Sequence, residues 1–139
     1  MSECAPALCY KEDFSKFVLR FTVGFLMLFH GIAKLSSGVG FIEGLFTSSG
    51  LPGFLAYGVY LGEIVAPIML IVGFKVRIAA LLVAATMIVA ILTVHLGDIF
   101  AVTEHGAWGI ELQMFYILTC VAIFLQGAGK YSFDERHKQ

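Results

Sequence analysis

No run of basic residues occurs in this chain of 139 residues, and its formal net charge is only −1. A protein that holds nucleic acid needs lysine and arginine clustered to neutralise phosphates, so that class of partner is excluded. Cysteine is scarce as well. Cys4, Cys9 and Cys120 are odd in number and form no close CxxC pair, so neither a disulfide framework nor a thiolate metal site is indicated. Phosphate-loop glycines, a dinucleotide-binding glycine fingerprint, a haem CxxCH and a nucleophile elbow are all missing. A redox enzyme built on this chain would have to borrow its cofactor or act with a partner. No repeat or low-complexity tract stands out.

What the chain has in excess is apolar surface: 59% of it is hydrophobic, against roughly half in soluble domains. Its mean hydropathy is +0.89. Four runs, 17–35, 53–73, 76–96 and 108–126, approach the roughly twenty residues that cross a bilayer as a helix. The expected fold is an all-α membrane protein, a four-transmembrane-helix bundle, with 1–15 as a polar arm, 16–134 as the membrane domain and 135–139 as a tail. The first run follows Glu12 and Asp13 and lacks a small-x-small cleavage site, so it is expected to be a retained span, not a signal peptide. Lys11, Lys16 and Arg20, then Lys75 and Arg77, then Lys130, Arg136 and Lys138 all fall on one side of such a bundle. Both termini are therefore expected to be cytoplasmic.

One carboxylate interrupts the second run. Glu63 lies about ten residues into it, near the hydrocarbon midplane, where a charge is costly and marks a functional site by default. It is expected to be buried and paired with His30, Lys34 or Arg20. Pro67 lacks the N–H that would bond the carbonyl of Glu63, so backbone acceptor and side chain are freed together. The bland alternative is a structural buried acid beside a kink.

Helical spacing sorts the other polar residues by face. Arg20, Gly24, Met27, His30, Gly31 and Lys34 share about a third of the first span. Gly58, Gly62 and Ala66 form a small-residue stripe in the second. Arg77, Ala80, Ala84, Ile91, His95 and Asp98 line up in the third, and Glu111, Leu118, Ala122 and Gln126 in the fourth, with Cys120 roughly opposite. Between the first two spans, Phe41, Ile42, Leu45 and Phe46 read as a short interfacial helix. Trp108 suits the aromatic belt.

In antiparallel spans His30, Lys34, Glu63, His95, Asp98 and Glu111 all fall in the outer half, where one polar cluster could collect them. Two chemistries suit it. A histidine, a lysine and a carboxylate beside a glycine-lined cleft could hold a quinone and relay its protons, with Glu63, His30 and Lys34 as catalytic groups and Arg20, His95, Glu111 and Gly31 contacting the substrate. Alternatively His30, Glu63, His95 and Glu111 could bind a divalent metal, although they come from four helices with no local ligand spacing. Against these stand a carbonyl-bonded histidine and a snorkelling lysine.

Several motifs together resemble the DoxX family: Leu19-Arg20, His30-Gly31, Lys34-Leu35, Gly50-Leu51-Pro52, Glu63, Arg77 and the ending Gly127-Ala128-Gly129-Lys130-Tyr131-Ser132-Phe133-Asp134. The resemblance implies a small four-helix bacterial inner-membrane protein, related in form to a subunit associated with thiosulfate:quinone oxidoreductase and linked to oxidative stress. Its matching positions are Arg20, His30, Gly31, Lys34, Glu63, Arg77, His95 and Glu111. The function expected is support of quinone-linked redox chemistry or of a partner oxidoreductase. The alternatives are a metal or small-molecule binding or transport protein and a structural assembly subunit. The expected surroundings are the lipid bilayer and a partner oxidoreductase, with a homo-oligomer as a further option.

Overall fold

The computed structural model describes residues 6–137, so Cys4 and Lys138 lie outside the described residues. Helix α1, Pro6–Ser37, runs without interruption through the segment expected to be a separate arm. Lys11, Glu12, Asp13 and Lys16 are polar but contain no helix breaker, and Glu12 pairs with Lys16 one turn on at 2.9 Å. Polarity therefore marks where α1 leaves the apolar zone, not where it starts. Its outward face carries Phe14, Phe17, Phe21, Phe25 and Phe29, whose successive rings lie 5.3 to 6.4 Å apart.

The expected interfacial helix is present as α2, Gly40–Ser48, with Phe46 buried against Val39 and Ala56. The next helix, α3, spans Gly53–Val72 and changes pitch along its length. It opens as a 3-10 turn at Gly53–Tyr57, widens to a π turn at Leu61–Val65 and resumes α geometry at Ala66–Val72. The wide turn lies immediately before Pro67, where the ordinary i to i−4 ladder has no donor. Helix α4, Val76–Val94, and helix α5, Glu111–Gln126, complete the bundle, and a short α6, Phe133–Arg136, ends the described chain.

By length and composition α1, α3 and α4 can each cross a membrane. Helix α5 has 16 residues, about 24 Å at the α-helical rise, and is shorter than the ~30 Å hydrocarbon core. The core joins Val23 and Met27 of α1, Ala66 and Leu70 of α3, Ala79 and Val83 of α4, and Tyr116, Cys120 and Ile123 of α5. This corrects the face assigned to the last helix: Leu118 and Gln126 point outward while Cys120 is buried. Helix α5 is apolar on all sides, so its one acid, at the first turn, gave no information about the face.

Close approach replaces hydrophobic drive between helices in lipid, and small residues allow it. A Cβ at Gly24 would stand 2.6 Å from the carbonyl oxygen of Pro67, and one at Gly62 would collide with the Thr86 hydroxyl. Gly58 does not belong to this stripe, because the space around it is open. Gly62→Val should destabilise the bundle by about 1–3 kcal/mol through overpacking. Thermal unfolding in detergent measures this, and a melting curve coincident with wild type would show that α3 and α4 are free to part there.

Candidate functional site

Two polar centres occupy opposite ends of the bundle. At the end formed by the α3–α4 turn, Arg20 is fully buried. Its guanidinium donates to the carbonyl oxygens of Leu70 and Tyr131, both at 2.7 Å, joining α1 to α3 and to the C-terminal segment. That segment in turn caps α4: the Asp134 carboxylate accepts the N–H groups of Lys75 at 2.7 Å and Val76 at 3.0 Å. Lys75 takes a left-handed conformation, φ 44°, and follows Gly73, φ 81°, so the turn presents those two donors to one carboxylate. Ser132 accepts from the N–H of Glu135 and starts α6. The Ser-x-x-Glu spacing is the signal from which this terminus could have been read.

At the other end, Lys34 of α1 and Glu63 of α3 form an ion pair, Nζ to Oε1 at 2.5 Å. Glu63 is 1% exposed, and its second oxygen, Oε2, is buried with no hydrogen-bond partner among the described residues. Gly31 lies one turn before Lys34 and faces the Glu63 main chain, where a Cβ would overlap the carbonyl oxygen. The residue that Pro67 deprives of its i+4 donor is therefore one that α1 approaches closely. Tyr60 donates its hydroxyl to the carbonyl of Lys34 at 3.1 Å, tying the end of α1 to α3.

Beside the pair lies a cavity of about 330 Å³. Lys34, Ser37, Glu63, Thr86, Thr93 and His95 contribute its polar groups, while Phe41, Ile42, Val59 and Val89 are among its apolar walls. Helix α2 thus forms one side of the cavity, a part that its sequence did not announce. His95 sits past the end of α4, and its Nδ1 lies 2.8 Å from Oδ2 of Asp98.

Three expected members are elsewhere. His30 is exposed, with Nδ1 3.4 Å from the Leu26 carbonyl oxygen and its ring edge-on to Tyr116 at 6.1 Å. Helical spacing put His30 and Lys34 on one side of α1, yet the angle between them is enough to turn the imidazole out of the Glu63 side. Glu111 is exposed and accepts the Trp108 N–H at 3.2 Å, an N-terminal capping role at α5. Arg20 lies fourteen residues before Lys34, about 21 Å along α1, and belongs to the opposite end. The alternative metal ligands, His30, Glu63, His95 and Glu111, therefore do not converge. Among the described residues no group of three or more His, Cys, Asp or Glu side chains could hold a metal ion.

The model of the DoxX family matches residues 15–96, which hold Arg20, Gly31, Lys34, Glu63 and His95. The chain belongs to the DoxX family. A relative in Bacillus subtilis (strain 168), named "Putative oxidoreductase CatD", is 31% identical over 117 residues, 84% of this chain and 82% of the relative. An "Uncharacterized protein" of Haemophilus influenzae is 31% identical over 130 residues, 91% of this chain and 92% of that one. No solved structure matches. The motifs that suggested DoxX membership thus include both centres, the Arg20 tie and the Lys34–Glu63 pair.

Proposed function

We propose that this DoxX protein is a four-span inner-membrane protein that supports quinone-linked redox chemistry, binding the quinone ring in the cavity beside Lys34 and Glu63. The observation that carries this reading is Glu63, a buried carboxylate that lines a cavity and whose Oε2 has no hydrogen-bond partner among the described residues. A buried oxygen without a donor is costly, so a ligand hydroxyl that donates to it is stabilised there. The cavity volume stands at the lower end of the roughly 300–1,000 Å³ of small-molecule sites, a size suited to one substituted ring.

Reduction of a quinone to a quinol consumes two electrons and two protons. The sequence carries no haem or dinucleotide motif, so in this reading a partner oxidoreductase supplies the electrons. The ammonium of Lys34 donates to one ring oxygen, Glu63 passes one proton to the other and then accepts the quinol hydroxyl at Oε2, and His95, oriented by Asp98, relays the second proton from water. The oxidoreductase name carried by the Bacillus subtilis relative agrees with such a role.

Titrating a short-chain quinol, kept reduced, into the detergent-purified protein tests the site. Glu63→Gln should weaken binding about ten-fold or more, the effect of losing a hydrogen bond to a charged group. His30→Ala should bind as wild type does, because its imidazole is outside the cavity. Equal binding by all three proteins removes Glu63 from the site.

In this reading the cations at the Arg20 end face the cytoplasm and the cavity lies toward the outer side. Cys4 and Cys9 should then react with an impermeant thiol reagent only after lysis. Labelling in intact cells would invert the orientation and put the quinone cavity on the cytoplasmic side.

A further inference from the structure

The end of the bundle opposite the cavity carries an open groove of about 1100 Å³ between α1, the start of α4 and the segment from Gln126 to Arg136. Its charge is unbalanced. Lys16, Lys75, Arg77, Lys130 and Arg136 line it, and among the described residues only Lys16 has an ion-pair partner, Glu12. Among the described residues no carboxylate lies within ion-pair distance of Lys75, Arg77, Lys130 or Arg136. Three acids also line it, against five cations: Asp134 caps α4, Asp13 accepts the Lys130 N–H at 3.1 Å, and Glu135 is the third.

The Arg77 guanidinium lies over Phe124, its central carbon 5.9 Å from the ring centroid, and Gly127 packs beside it, where a Cβ would stand 3.7 Å from the guanidinium. A planar fork held by an aromatic face keeps its N–H donors aimed outward, the arrangement that suits phosphate oxygens. Along α4, Leu81 and Ile88 follow Arg77 on the same exposed side at helical spacing, an apolar strip leading from the groove.

We propose that this groove binds the headgroup of an anionic phospholipid, its phosphodiester oxygens on Arg77 and Lys130 and an acyl chain along Leu81 and Ile88. Charge complementarity selects an anion. The adjoining apolar strip selects a lipid over a free anion. Basic pockets at the membrane border of helix bundles take such headgroups by this combination.

The test uses the full-length protein in nanodiscs made from mixtures of phosphatidylglycerol and phosphatidylcholine, with retained lipid counted by native mass spectrometry. Wild type should retain phosphatidylglycerol in preference to phosphatidylcholine. Arg77→Gln and Lys130→Gln should each lower that retention about five-fold. Arg77→Lys should retain part of it, and Lys11→Gln, a cation outside the groove, should retain all of it. Size exclusion and thermal melting establish that each variant is folded, which is expected because both groove cations are exposed. Equal retention of the two lipids, or equal losses in Lys11→Gln and Arg77→Gln, would overturn the proposal. Saturable binding of inorganic phosphate to the groove in pure phosphatidylcholine, without preference for the anionic lipid, would replace it with a free-anion site.

Discussion

Lys34→Met is expected to destabilise the protein by about 3 kcal/mol, the lower end of the cost of removing one partner from a buried ion pair. The size comes from the acid left behind. Glu63, with a side chain 2% exposed, would hold a carboxylate in an apolar interior with neither oxygen paired. Glu63→Met should cost less, because the Lys34 side chain is 30% exposed and its ammonium can swing toward the interface. The double variant should be more stable than Lys34→Met alone, since a pair replaced by apolar groups of similar volume leaves no orphaned charge. Glu63→Ala should in turn destabilise more than Glu63→Gln, which keeps the shape and part of the hydrogen bonding. Chemical unfolding of wild type, the two Met variants and their double in detergent gives the coupling energy directly. Strict additivity of the single effects would mean that the two side chains do not interact.

Arg20→Ala should have the second large effect, about 3–5 kcal/mol, from two hydrogen bonds to a charged donor and the volume left empty. Its signature is local as well as global. Arg20 holds the carbonyl of Tyr131, so its loss frees the segment whose Asp134 caps α4. Limited trypsin digestion should then cut after Lys130 much faster than in wild type. Arg20→Lys should fall between the two, because one ammonium cannot reproduce the fork that reaches both carbonyls. Unchanged cleavage in Arg20→Ala would show that the C-terminal segment is held by Asp134 and Ser132 without it.

Much of this arrangement was legible in the residues. An acid in the middle of an apolar run had to be buried with a partner, and Lys34 was one of three basic side chains on the facing side of the first span. Of the stripe that pointed to close helix contact, Gly62 makes it and Gly58 does not, while Gly24 and Gly31, read as lining a cleft, are themselves close contacts. What periodicity could not supply was depth and rotation. His30 and Lys34 differ by four residues, and Arg20 and Lys34 by fourteen, so sharing a face says nothing about sharing a site along a helix of 32 residues. Helix α5 misled for another reason. It is apolar on every side, and Glu111 answers the unpaired N–H of Trp108 at its start, a local need with no bearing on which face is buried. The role of α2 as a cavity wall was also beyond the pattern, because a nine-residue amphipathic helix reads alike whether it covers lipid or a pocket.

Photolabelling tests the cavity beside Glu63 most directly as the place where a quinone ring binds. A quinone carrying an azido group, irradiated with the protein in membranes and mapped by peptide mass spectrometry, should mark the peptides that contain Phe41 and Ile42 of α2 and Val89 to His95 at the end of α4. That labelling should fall in Glu63→Gln and in competition with unmodified quinone. Label concentrated on the outward face of α5, around Phe115 and Leu118, and unchanged in Glu63→Gln, would place the ring in lipid and contradict a quinone site in this bundle.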